Sequence, residues 1–225
     1  WEVMKCVILM SGGLDSTTLL HWVIKKGYMP FVLSFNYGQR HKKELKFAQN
    51  TCKKLKVNHK ILDLENIQSL LLGSALTSED VEVPESHYSH ASQKKTVVPN
   101  RNAIMINIAI GYAISNRINK IFYAAHYNDR AIYPDCRWEY IQSQNTTSNL
   151  ANDEHIEIIA PFVEKTKEEI VRLGAELGVS FENTWSCYKG GNQSCGVCGT
   201  CRERIEAFQL SKIKDPLKYS IAVEW

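Results

Sequence analysis

The apolar run from Cys6 to Met10 passes directly into Ser11-Gly-Gly-Leu-Asp-Ser-Thr-Thr18. A short buried-strand pattern therefore ends in a glycine turn that opens a hydroxyl-rich helix. Two adjacent glycines let the backbone reverse sharply and come close to a ligand. The free N–H groups and dipole of the following helix favour an anion there. Hydroxyls of Ser11, Ser16, Thr17 and Thr18 can add donors. Phosphate or pyrophosphate is the natural ligand. No lysine follows the glycines, so the loop is not the lysine-bearing one of the common nucleotidases. The bland alternative is a well-capped strand-to-helix turn.

Apolar runs then alternate with amphipathic stretches along the chain. Strands are expected over 5–10, 29–35, 60–64, 120–125 and 155–160. Helices are expected over 16–26, 41–55, 65–72, 102–116, 135–147 and about 200–210. Thr166-Lys-Glu-Glu169 reads as a capping box opening a helix to Leu177. This alternation predicts an α/β fold, a Rossmann-like parallel sheet with helices on both faces. Crossovers should be right-handed, with ligands beyond the carboxyl ends of the strands. That places the Ser11 loop, residues 36–41 and residues 124–137 on one rim. Residues 73–100 are polar and aperiodic, the pattern of a functional lid or a mobile segment.

A second constellation lies at the C-terminal end. Cys187, Cys195, Cys198 and Cys201 fall within a short glycine-rich segment, out of seven cysteines in the chain. Four thiolates suit tetrahedral zinc, with an iron–sulfur cluster, disulfides or reduced core cysteines as the alternatives. Cys6, Cys52 and Cys136 are expected to stay free. The expected organisation is a nucleotide-binding α/β domain over 1–184 and a zinc-binding segment with its helix over 185–225. A net charge of +3 is too small to argue for nucleic acid. No apolar run is long enough to span a membrane. Trp1 to Val3 precede a methionine and read as a remnant of something upstream. With no export signal evident, a cytoplasmic protein is expected.

The hexapeptide S-G-G-x-D-S resembles the PP-loop of ATP pyrophosphatases. Four further stretches make the resemblance more specific: Phe35-Asn-Tyr-Gly-Gln-Arg-His41, Val98-Pro-Asn-Arg-Asn102, Tyr133-Pro-Asp-Cys-Arg137, and Cys187-Tyr188 with the three later cysteines. Together and in this order they resemble the 7-cyano-7-deazaguanine synthase family over nearly the whole chain. The resemblance implies an ATP-dependent ligase that uses a 7-deazaguanine acid and ammonia, with Mg²⁺ and Zn²⁺ as cofactors. It implies no direct nucleic-acid partner and admits a homodimer. Met10, Ser11, Gly12, Gly13, Leu14, Asp15, Ser16, Thr17, Thr18, Leu19 and Leu20 would form the nucleotide site. Asp15, Ser16 and Lys165 would be catalytic, Asp15 helping to hold Mg²⁺ and Lys165 neutralising phosphate. Tyr37, Arg40, His41, Arg101, Asn102, Asp129, Asp135 and Arg137 would contact the substrate. Residues 124–132 depart from the family's commonest version of that loop. A relative that stops at the amide, or joins the acid to another amine, is the alternative reading. Another PP-loop enzyme acting on tRNA and a zinc-knuckle nucleic-acid module are the remaining ones. Cys136 invites a nucleophile reading, but an adenylate route needs no protein thiolate.

Overall fold

The computed structural model describes residues 3–78, 80–88 and 91–225. Trp1 and Glu2, for which an upstream remnant was expected, lie outside the described residues. Five parallel strands form one sheet in the order β3-β2-β1-β4-β5. They are β1 (Lys5–Leu9), β2 (Met29–Asn36), β3 (Asn58–Asp63), β4 (Lys120–Phe122) and β5 (Glu157–Ile159). The long helices are α1 (Leu14–Lys25), α2 (Lys43–Leu55), α3 (Arg101–Ser115), α4 (Trp138–Ala151), α5 (Lys167–Glu176) and α6 (Gly199–Ser211). Strand order reverses at β1, which pairs with β2 on one side and β4 on the other. A crevice opens at such a reversal because the chain leaves the neighbouring strands in opposite directions.

Alternation along β1 divides the core. Cys6, Ile8 and Met10 face a cluster built with α1, α2, α5 and α6. Val7 and Leu9 face a cluster containing Ile106, Ala109, Ile110 and Ala113 of α3 and Ile141 of α4. Side chains two residues apart share a face, so one strand supplies both layers. α5 begins with the expected capping box, Thr166 and Glu169 satisfying each other's backbone N–H groups. α4 starts at Trp138, not Asp135, because Pro134–Cys136 forms a separate tight turn. β4 and β5 are each about half as long as their apolar runs suggest.

The outer edge of β5 is covered by side chains. Asn145 of α4 donates from Nδ2 to the Ile158 carbonyl at 2.8 Å and accepts the Ile158 N–H at 2.7 Å. Asn149, one turn later, does the same to Ile156, at 2.9 and 3.0 Å.

Residues from Trp185 onward pack on the body. Ala207 and Phe208 of α6 belong to the same cluster as β1 and α1. Arg204, fully buried, grips Asp215 at 2.6 and 2.9 Å and also donates to Thr184 Oγ1 and the Phe181 carbonyl. Residues 73–100 are less loose than their composition suggests. Ala75, Leu76 and Thr96 are buried, and the Thr96 hydroxyl meets Tyr133 Oη at 2.6 Å. Among the described residues, no helix is long and apolar enough to cross a membrane.

Candidate active site

Gly12 sits at φ +96°, and a Cβ there would lie 2.2 Å from the Glu44 carbonyl oxygen of α2. Only glycine fits, so the turn that opens α1 is fixed by packing against α2 as well as by its torsion. Ser16 Oγ takes the Gly12 N–H at 3.3 Å and donates to the Gly13 carbonyl at 3.2 Å. Ser11 Oγ lies 3.2 Å from the Ser16 hydroxyl. The loop is thus internally braced, with Ser11, Asp15 and Ser16 bordering a cavity of about 220 Å³. The rest of the expected nucleotide stretch divides. Met10 lines the cavity, but Leu14, Leu19 and Leu20 are core residues, as the helical period requires. Thr17 and Thr18 are buried on the side of α1 away from the opening and do not line it.

Asp15 is the loop's link to the rest of the rim. Its Oδ2 accepts from Lys167 Nζ at 2.6 Å. The same ammonium lies 3.3 Å from His126 Nε2 and 3.4 Å from Glu203 Oε2. His126 in turn lies 3.2 Å from Asp129 Oδ2. Burial opposes ionisation of Asp15, but the Lys167 charge and His126 outweigh it and hold the carboxyl below its ordinary range. Burial likewise disfavours charge on Lys167, yet Asp15, Glu203 and Asp129 together raise its affinity for the proton. Glu203 goes the other way, burial lifting its carboxyl above the ordinary range.

The lysine that meets Asp15 is Lys167 and not the expected Lys165. Lys165 does not line the cavity; its main chain pairs with Tyr127 and Phe162. Two residues on, Lys167 starts α5 with its backbone N–H on Asn128 Oδ1 and its ammonium on Asp15. The capping box already marked Lys167 as the first helical residue, next to the rim. Glu203 carried a weaker signal, lying two residues beyond Cys201. Neither His126 nor Glu203 was among the expected site residues.

The far wall is aromatic. Phe35, Tyr37, Tyr123, Tyr133 and Tyr188 line it, with Arg101, Asn102 and Asp129. Arg101 donates to Tyr37 Oη at 3.2 Å and to Asn102 Oδ1 at 3.1 Å. His41 also lines the cavity, 3.5 Å from Glu44, in the geometry of an ion pair. Burial nonetheless pushes Glu44 up to about 8, and burial with the Arg101 charge pushes His41 down to about 3. At neutral pH the contact is therefore between two uncharged groups. Three other expected substrate residues lie elsewhere. Arg40 is drawn to the carbonyls of Ala75 and Val81. Arg137 is exposed and donates to the Arg130 carbonyl. Asp135 stands behind the wall beside Cys136, its carboxyl raised by burial. Cys136 does line the cavity, but burial and the nearby Asp129 and Asp135 push its thiol well up, the reverse of an activated nucleophile.

The second site is the four-cysteine group. One ligand atom from each of Cys187, Cys195, Cys198 and Cys201 lies within 4.8 Å of every other. Cys195 and Cys201 sulfurs are 3.8 Å apart. Tetrahedral Zn–S bonds of ~2.3 Å place sulfurs ~3.8 Å from one another. Backbone N–H groups of Cys195 and Cys198 point at the Cys187 and Cys195 sulfurs at 3.4 and 3.3 Å, as a thiolate set requires. None of the cysteines is in a disulfide. The donor set fits zinc. The group touches the phosphate loop through Trp185, whose N–H donates to the Gly12 carbonyl at 3.0 Å.

A family model described as "Queuosine biosynthesis protein QueC" matches residues 5–212. A protein named 7-cyano-7-deazaguanine synthase from Caldicellulosiruptor saccharolyticus is 49% identical over 222 residues, covering 99% of this chain and 98% of the relative. One of the same name from Pseudoalteromonas atlantica is 48% identical over 217 residues, covering 96% and 99%. Among solved structures, NMN synthetase from Francisella tularensis superposes with a TM-score of 0.54 at 13% identity, covering 93% of this chain and 77% of that one. A 4-thiouridine synthetase, solved with RNA and bound ATP, gives 0.51 at 17% identity, covering 88% and 45%. These two share the fold alone. The family match and the identity over almost the full length place the chain in the QueC family.

Proposed function

We propose that this chain is an ATP-dependent carbon–nitrogen ligase that converts 7-carboxy-7-deazaguanine and ammonia to 7-cyano-7-deazaguanine. The observation that carries the proposal is the meeting of two half-sites on one rim. The braced Ser11–Ser16 loop, with Asp15 and Lys167, faces an aromatic cavity holding a half-buried arginine, Arg101. One half suits the phosphates of ATP, and the other a flat heterocycle bearing a carboxylate.

The substrate carboxylate attacks the α-phosphorus of ATP, pyrophosphate leaves, and an acyl adenylate remains. Ammonia displaces AMP to give the amide. A second ATP adenylates the amide oxygen, and departure of that oxygen with AMP leaves the nitrile. Ser11 and Ser16 donate to the departing pyrophosphate, and Lys167 offsets its growing charge. Asp15 Oδ1, buried and without a partner, would hold the Mg²⁺ that accompanies the phosphates. Arg101 and Asn102 would orient the carboxylate, and Tyr37 would stack on the base. Cys187, Cys195, Cys198 and Cys201 would hold zinc, closed to substrate and fixing the start of α6. Residues 185–225 act as a metal-pinned clamp on a nucleotide-binding body.

Incubation with ATP, ammonium and the acid tests this directly. AMP, pyrophosphate and a product of nitrile mass are expected. Release of ADP and orthophosphate, or an amide that never advances with excess ATP, would reject it.

A further inference from the structure

Beside the main cavity lies a pocket of about 20 Å³. It is walled by Asp129 and Glu203, the hydroxyls of Tyr133 and Tyr188, and the amides of Asn128 and Gln93. Asp129, Tyr133 and Tyr188 border the main cavity too, so the two spaces share a wall. A volume of this size holds about one water-sized particle. The carboxylates of Asp129 and Glu203 meet here within 4.8 Å of each other and of a His126 ring nitrogen, and the Lys167 ammonium lies 3.4 Å from Glu203. Glu203 is 95% buried, since 5% of it is exposed, and its Oε1 has no hydrogen-bond partner. A buried carboxylate oxygen left without a donor marks a missing cationic or donor group.

We infer that this pocket is the ammonium site of the enzyme, with Asp129 and Glu203 as its anionic receptors and the shared wall as the route to the acyl adenylate. The inference rests on the ligase reading above. Ammonium matches the pocket in size and charge, and offers four N–H donors to a wall of carboxylate, hydroxyl and amide oxygens. In the step itself, ammonium gives one proton to the Asp129 carboxylate. The freed lone pair bonds to the acyl carbon, and the bond from that carbon to the AMP oxygen breaks, its electrons leaving with AMP. The second proton of the new nitrogen centre passes to water.

The test separates the two half-reactions. Exchange of labelled pyrophosphate into ATP, with the acid present and ammonium absent, reports adenylation alone. Amide and nitrile formation against ammonium concentration reports the second step. E203Q and D129N should each raise KM for ammonium by about tenfold or more, since each removes one charge-assisted contact. Asp129 also borders the main cavity, so each variant is read as a ratio: KM for ammonium should rise by a larger factor than exchange falls. An unchanged ammonium KM in both variants overturns the inference. So does loss of exchange in both, which would assign the pair to the phosphate machinery. Mn²⁺ titrated into nucleotide-free protein supplies a third readout: a stoichiometric site lost in D129N would make this a divalent-cation site and also overturn it. If the wild-type protein shows no acid-dependent exchange, the ligase reading itself fails, and that outcome is distinct from the others.

Discussion

Glu44 allows a pH dependence to be worked out from the structure. Burial raises its carboxyl from 4.5 to about 8, while His41, packed beside it, falls from 6.5 to about 3. Between 4.5 and 6.5 the two oppose each other: the folded state retains a proton on Glu44 that the unfolded chain loses, while the unfolded chain gains one on His41. Above 6.5 the histidine is neutral in both states, and only Glu44 differs. The folded state then binds more protons, so stability falls as pH rises. Between pH 6.5 and 8 this group alone should cost about 1.5–2 kcal/mol, at roughly 1.4 kcal/mol per unit of pH. Glu44→Gln keeps the shape and the oxygen that accepts from Gln39 at 3.3 Å, but cannot ionise. Denaturant midpoints of both proteins, measured across that range, should diverge, the variant losing less stability as pH rises. Parallel curves would mean that Glu44 is ionised at neutral pH, and the uncharged contact with His41 would be wrong.

Lys167→Met should abolish turnover and also lower stability by about 3–5 kcal/mol, because Asp15 would keep its charge without its partner. Lys165→Met should leave both within a few-fold of normal, and comparable losses in the two variants would erase the distinction between these lysines. Cys198→Ser should release the metal and lower the melting temperature, because Cys198 belongs to the four-cysteine group proposed to hold zinc and also opens α6. Metal analysis and calorimetry on the same sample decide it, and a metal-free variant of normal stability contradicts the structural role.

The layers of the fold were legible because strands and helices bury faces of different period. Cys6 to Met10 alternate by two and fill both sides of the sheet, and the Thr166–Glu169 capping box forms as its spacing implies. The phosphate loop was legible because its glycines, hydroxyls and acid are contiguous. The rest of the site joins residues distant in sequence, and local pattern carries little about it. Lys165 and Lys167 differ by two positions, and the turn after Pro161 decides which of them reaches Asp15. Arg40 and Arg101 both promised a guanidinium, but the packed 75–81 segment draws Arg40 away through its carbonyls. Arg137 follows a tight turn that aims it outward. Glu203 reaches the site only because the cysteine group sets where α6 begins.

The two asparagines of α4 have a further effect on how the sheet can grow. Their amides act as a surrogate neighbour for β5, taking the outward donors and acceptors of Ile156 and Ile158. A foreign strand arriving at that border finds nothing left to bond and must first evict two side chains anchored on a helix. Bare borders are where sheets recruit one another into aggregates. Among the described residues, the opposite border, β3, pairs within the sheet with β2 alone. The sheet therefore has a sealed end and an open one, and any strand added during misfolding should attach beside β3.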